Sequence, residues 1–305
     1  MGGEELQAER AALVALLRHV GTTKTTTHTA LRARFTGGEM PTEILAEFGG
    51  DTLFDDTPEQ IQAGFRDIEG WSSSGYPMLT FLDDAYPASL KAVHDHPLVL
   101  FATAPLRNRE SGFAVVGTRR PSHQGATFAR DLARELGKAN FSVISGLARG
   151  VDTCALEAAV AIGARTVAVI GSGLQHSYPA ENAQLQRTIG ETGVVLSQFF
   201  PEARPARANF PVRNATMSAY SLGTIIVEAG ETSGTRIQAR AAIKHGRPLI
   251  MTKQVASQTK WAQGYIEAGF DISVVGSVEE ALMAAGSIAN RSQRFEAWVE
   301  ELVSG

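Results

Sequence analysis

The stretch GFAVVGTRRPSHQGATFARDLARELGKANFSVISGLARGVD, residues 112–152, decides the fold. It opens with an apolar, β-branched run at Phe113–Val116, turns at Gly117, passes through an Ala-rich segment of helical character, and reaches a second apolar run at Phe141–Ser145. Strand, glycine turn, helix and strand make the unit of a parallel sheet, because parallel neighbours need a crossover of about a dozen residues or more. The alternation continues through Thr166–Ile170, Val194–Ser197, Thr224–Val227, Pro248–Met251 and Ile272–Val275. Such a pattern predicts an α/β doubly wound domain with helices on both faces of the sheet. In sheets of this kind ligands bind beyond the carboxyl ends of the strands, near the point where strand order reverses.

Outward from this core the pattern changes. Residues 4–19 place Leu6, Leu13, Leu16 and Leu17 near helical spacing, with acids early and Arg18 and His19 late, as suits an amphipathic helix aligned with its dipole. Segment 20–36 is rich in Thr, and 37–60 carries glycine pairs and acidic clusters, so short helices at about 41–48 and 58–70 joined by loops are expected. From Trp71 to Leu106 prolines alternate with short apolar runs, as in a connector with an edge strand. After the core, Phe295, Trp298, Val299 and Leu302 recur at helical spacing and predict one docking helix. The expected organisation is a helical module over 1–75, a connector over 76–110, the core over 111–286 and a closing helix over 287–305 with no further domain.

The 305 residues, 44% hydrophobic and 20% charged, describe a globular protein and exclude a disordered or collagen-like chain. No apolar run approaches the ~20 residues that span a bilayer, and the acidic start MGGEELQAER lacks the basic, then apolar, form of a secretory signal. A cytoplasmic location away from membranes is expected. A single cysteine, Cys154, can form neither an internal disulfide nor a multi-thiolate metal site. The net charge of -4 conceals two unlike parts: residues 1–100 hold 7 Lys+Arg against 15 Asp+Glu, and residues 101–305 hold 21 against 17. The core is therefore mildly basic.

The post-strand loops carry the chemistry. In VVGTRRPSHQG (115–125), Gly117 allows close backbone approach, Arg119 and Arg120 bring fixed cations, and Ser122 can cap the next helix, which together form an anion cradle. The dinucleotide fingerprint G-x-G-x-x-G is absent. ISGLARGVD (144–152) sets Gly146 and Gly150 around Arg149, with Asp152 at an expected N-cap, and VIGSGLQHSYPAEN (169–182) presents Gly171 and Gly173. Three consecutive strands that end in glycine point to a bound phosphate or phosphodiester. His176 beside Tyr178 is weighed as a catalytic group and set below a structural hydrogen-bonding role.

Segment 197–221 strings Arg204, Arg207 and Arg213 between Phe199, Phe200 and Phe210 and ends near Asn214. Cations interleaved with aromatics are what a single nucleic-acid strand needs, guanidinium for phosphates and a ring face for a base; the alternative is a Pro-rich loop whose phenylalanines plug a core. In VEAGETSGTRIQAR (227–240), Ser233, Gly234, Thr235 and Arg236 open a helix suited to a phosphate, and Glu228 is a lone candidate acid or base without a positioned partner. Nucleophile-elbow, Walker A, HExxH and metal-ligand patterns are all missing from the sequence, so no catalytic residue, metal or cofactor is expected and binding is favoured over turnover.

Read in order, AVVGTRRPSHQG, SVISGLARGVD, VAVIGSGLQHSYPAEN, VVLSQFFPE, NFPVRN and TIIVEAGETSGT resemble the DNA-processing protein A (DprA/Smf) family, and DDAYPASLKAVHDHPLVLFATAPL resembles its lead-in; the likeness covers about Phe81 to Gly269. The resemblance implies an extended Rossmann-like core behind a small helical, SAM-like module. It also implies a homodimer that binds single-stranded DNA and hands it to a RecA-type recombinase in natural transformation. By the same likeness Arg119, Ser122, Arg207, Phe210, Arg213 and Asn214 would line the DNA pocket. The chain departs from the family pattern at Leu156, Gln198 and Ala215, where His, Glu and Arg are usual, and at Thr235–Gln238 and Lys253–Gln254; no winged helix is expected after the core. A second reading is a nucleotide sensor or phosphoribohydrolase-like enzyme, with Gly234, Thr235 and Glu228 as loose counterparts of that group's glycine, threonine and glutamate.

Overall fold

The computed structural model describes residues 2–21, 25–49 and 57–304. Helices α1 (Gly3–Val20), α2 (Thr25–Thr36), α3 (Pro41–Gly49) and α4 (Thr57–Ser73) come first. The chain continues through β1 (Met78–Thr80), α5 (Ala88–Lys91) and β2 (Val99–Ala102). Strand and helix then alternate: β3 (Gly112–Val116), α6 (His123–Lys138), β4 (Ser142–Ser145), α7 (Val151–Ala161), β5 (Thr166–Val169), α8 (Ala183–Thr192), β6 (Val194–Ser197), α9 (Asn209–Tyr220), β7 (Gly223–Ile226), α10 (Thr235–Lys244) and β8 (Leu249–Thr252). α11 (Lys253–Gln258), α12 (Lys260–Glu267), β9 (Ile272–Val275) and α13 (Val278–Ser304) close it.

Among the described residues nine strands join one sheet in the order β1-β2-β6-β5-β4-β3-β7-β8-β9. β3 to β9 pair in parallel, while β2 lies antiparallel to β6 and β1 to β2. The chain lays β3 to β6 outward on one side and returns to set β7 against the free side of β3, which makes the β3/β7 boundary the switch point. The seven core strands match their expected positions to within a residue at each end. From β3 to β8 the apolar runs are buried on both faces, with Phe113, Val115 and Leu132 in one core layer and Ile144, Tyr220 and Ala239 in the other, while the edge strand β9 is only partly buried.

The N-terminal region contains more helix than expected. The Thr-rich segment folds as α2, whose Arg32 and His28 are buried; local propensity yields here to tertiary contacts, among them Arg32 Nε donating to the His96 carbonyl at 2.7 Å. The acidic loop expected across 50–56 lies outside the described residues. Helix α1 packs into the same core layer as Trp71 and Phe101, so its leucines join the core of the sheet. The last helix starts at Val278, ahead of the expected Ser287. Its Phe295 and Trp298 are 62% and 54% exposed, and the side chains of Val299 and Leu302 lie outside the described set.

Candidate nucleic-acid interface

At the carboxyl ends of β3 and β7 lies a cleft of about 540 Å³ whose wall includes Gly117, Arg119, Arg207, Phe210, Asn214 and Ser233. A second hollow of about 560 Å³ opens over the ends of β4 and β5 and takes in Arg120, Gly146, Arg149, Gly171 and Tyr178. The two share Arg119, Ala148, Phe210 and Arg213, so they form one groove with a ridge across it. On that ridge the Phe210 ring lies 5.6 Å from the ring of Tyr178, and the guanidinium carbons of Arg119 and Arg213 sit 6.0 and 5.9 Å from its centroid. A half-exposed aromatic pair flanked by cations can take a base on its face and phosphates at its edges.

Close packing shapes the ridge. A Cβ on Gly171 would come within 2.9 Å of the Phe210 ring, and one on Gly117 would press on Val151 at 2.5 Å, so both positions need glycine for backbone approach. Gly146 leaves room for the Arg213 guanidinium. Arg213 is only 6% exposed: its Nη1 donates to the carbonyls of Gly146 and Val169, the latter at 2.7 Å, and its Nε to Asn214 Oδ1 at 3.0 Å. Burial lowers its pKa, opposed by the charge of Asp152. Arg213 thus ties the ends of β4 and β5 to α9 while its guanidinium still reaches the groove wall.

Asp152 is not the N-cap expected from sequence. Gly150 holds that place with φ 80°, and Asp152 lies in the first turn of α7, where its carboxylate accepts from the Gly146 and Ala148 amides at 3.1 and 3.3 Å. Burial pushes this carboxyl up, against the pull of Arg213 and the two amides. The loop it braces presents Arg149, which pairs with Glu181 at 2.7 Å on the rim of the second hollow.

Of the sequence-predicted residues, Gly117, Arg119, Arg207, Phe210, Arg213, Asn214, Ser233, Gly234 and Thr235 come together in the first cleft, and Arg120, Gly146, Arg149 and Gly171 in the second. Three others stand apart. Ser122 caps α6 by accepting the Gly125 amide at 3.0 Å, and its hydroxyl donates to Glu228 at 2.8 Å. Gly173 packs beneath the backbone of Phe200 and Pro201. Arg236 is the second residue of α10, outside either lining.

Glu228 holds the first loop in place: its carboxylate accepts the Ser122 amide at 3.1 Å and its carbonyl accepts the Thr118 amide at 2.7 Å. His176 is likewise bound to a backbone carbonyl, that of Glu202, at 2.9 Å. Phe199 and Phe200 are buried, so the core-plug reading holds for them and only Phe210 reaches the surface. Tyr178, 47% exposed, is the groove aromatic absent from the sequence-predicted residues; the available signal was an aromatic in a post-strand loop beside glycines. Among the described residues one group could hold a metal ion, His94, Asp95 and His245, with ligand atoms within 4.8 Å of one another, but it lies outside the groove lining. Separation in sequence hid it. His245 Nε2 is 2.7 Å from Asp95 Oδ1 and its Nδ1 is 3.1 Å from Ser218 Oγ, a brace between the β2 lead-in and α10.

Fold and groove together define a doubly wound α/β protein with an arginine-lined groove at the switch point of its sheet. Sequence comparison makes the assignment finer: the pattern of the family described as DNA recombination-mediator protein A matches residues 77–283, and the chain belongs to that family. It is 34% identical over 187 residues to the DNA processing protein DprA of Bacillus subtilis, covering 61% of this chain and 63% of that protein. It is 38% identical over 176 residues to DprA of Streptococcus pneumoniae, covering 57% and 62%. The chain thus spans less than two thirds of these relatives' length. Among solved structures it is similar to S. pneumoniae DprA (TM-score 0.66, 27% identity, covering 88% of this chain and 96% of that one). It is also similar to Helicobacter pylori DprA (TM-score 0.60, 26% identity, covering 72% and 96%), a structure described as giving insight into a single-stranded DNA binding mode.

Proposed function

We propose that this protein binds single-stranded DNA in the joined clefts, shields it, and assists the loading of a RecA-type recombinase in DNA uptake and recombination. One observation carries the reading: the Phe210–Tyr178 pair with Arg119 and Arg213 over it, set where the two hollows meet. Stacking on that pair reads no sequence, because every base has a π-face, and the arginines along the groove follow the backbone. Binding takes place without turnover in this reading. Glu228, the residue on which a phosphoribohydrolase-like reaction would depend, is engaged by Ser122 instead. The family's description as a recombination mediator supports the recombinase as partner. A homodimer is the assembly we infer, supported by the open edge strand β9, beside which Ile266, Phe270 and Val274 are 39–44% exposed. The cytoplasm is the inferred location, and among the described residues no helix is long and apolar enough to cross a membrane.

The test is a titration of a fluorescent oligothymidylate at several salt concentrations. Affinity should fall linearly on logarithmic axes, with a slope of about 0.7 for each phosphate neutralised. Arg119→Ala with Arg207→Ala should weaken binding and flatten that slope by about 1.4. Affinity indifferent to salt, or unchanged in the double variant, would overturn the reading.

A further inference from the structure

Helix α10 starts in the groove at Thr235 and leaves it carrying Arg236, Arg240 and Lys244, four residues apart and therefore along one face. All three are exposed, and among the described residues none of their side chains makes an ion pair or a hydrogen bond. Like charges at this spacing repel one another, so the row costs helix stability and gains nothing from a partner within the protein. At its far end a third hollow, of about 330 Å³, lies between α10, α9 and the N-terminal α2; its wall includes Arg32, Asp95, Arg240 and Lys244. This hollow shares Pro211 and Ile237 with the main cleft, so the two are continuous over an apolar sill on which Ile237 is 45% exposed.

The charge there is positive. Arg32, Arg240 and Lys244 face one carboxylate, that of Asp95, which already accepts from His245. His28, also in the wall, is held neutral-leaning by burial, with the neighbouring Arg32 charge acting in the same direction. From Arg236 to Lys244 the helix surface runs about 12 Å, room for up to about four phosphates at a spacing of 3.4 Å or more.

We propose that single-stranded DNA leaves the groove along α10, its phosphates following Arg236, Arg240 and Lys244 over Ile237 into the hollow beside α2, so that the N-terminal helices form the last part of the strand path. This rests on the reading of the groove as a single-strand site. It makes the footprint longer than the groove alone, and it gives the N-terminal helices contact with the ligand.

The test compares oligothymidylates of about six and about twenty nucleotides, lengths that bracket the usual range of single-strand sites. The variant is Arg240→Gln with Lys244→Gln. The short strand should bind the variant as it binds the unaltered protein. The long strand should bind roughly tenfold more weakly, with a salt slope lower by about 1.4, two phosphate contacts being lost. A long strand bearing a photoreactive thymine at each end should crosslink to residues 25–36 from one end, and the short strand should not. Unchanged affinity and slope for the long strand, or equal loss for both strands, would overturn the track, with an unchanged melting temperature showing that the variant is folded. If neither strand binds the unaltered protein, the groove reading falls first and the track with it.

Discussion

Phe210 does two things at once: it closes the ridge against Gly171 and offers a ring face to the groove. Truncation to alanine should cost about 1–3 kcal/mol of strand affinity, a loss of roughly 5- to 150-fold, because base-to-ring stacking is worth that much. Stability should change little, since the ring is not fully buried. Gly171→Ala should weaken binding without touching the ligand, because the new Cβ would stand 2.9 Å from the Phe210 ring and turn it away from Tyr178. Fluorescence titration of both variants beside the unaltered protein, with thermal melts as a folding control, checks the pair. Affinity retained in both would show that the ring does not meet a base.

Among the elements, β3 is anchored at its entry by Glu110, which is 2% exposed and receives Arg165 through two nitrogens, the hydroxyl of Ser142 at 2.6 Å and that of Tyr220 at 3.1 Å. Burial works to raise this carboxyl, but the bonds from Arg165 and Ser142 outweigh it and hold the group below the ordinary carboxylate range. The resulting stabilisation is complete above the unfolded value of about 4.3 and is lost as pH falls through the folded one. Urea midpoints should therefore decline below about pH 4.3, and Glu110→Gln should lower stability at neutral pH by about 3 kcal/mol, because it strands Arg165. In that variant the part of the acid decline due to Glu110 should disappear; an unaltered pH profile would remove Glu110 from the account. The strands of this sheet were legible in the sequence because central parallel strands are apolar throughout. Helix α2 was not, since its threonines are poor helix formers and its order comes from contacts such as Arg32 with His96 that no local pattern displays. The groove arginines were legible as cations in post-strand loops. Which phenylalanine would face outward was not, because Phe199, Phe200 and Phe210 differ only in what packs against them, and Trp71, 131 residues before Glu202, reaches that loop from α4 to stack on Phe200 at 4.9 Å.

In the whole molecule the sheet has two ends of different character. The β1 end lies against the N-terminal helices, with Arg10 of α1 donating to the Met78 carbonyl at 2.6 Å, while among the described residues no strand pairs with the outer side of β9, which is bordered by apolar residues. A free strand edge is a template for another chain unless it is covered or charged. Light scattering should find a dimer at micromolar concentration, and Phe270→Asp with Val274→Arg should convert it to a monomer of unchanged fold. A monomer at every concentration in the unaltered protein would contradict the inferred assembly.

The switch point between β3 and β7 also has a consequence in time. A ribosome delivers β3 to β6 first, and a chain halted after β6 would possess the Arg119 loop and the glycine ends of β4 and β5 but neither the aromatic ridge nor the opposite wall from Gly230 to Thr235. Only when the chain extends past Thr235 and β7 lies beside β3 can the two walls face each other. In the proposed reading, then, a chain stopped short of Thr235 lacks one wall of the strand site, and the site is complete only when the later half of the sheet is in place.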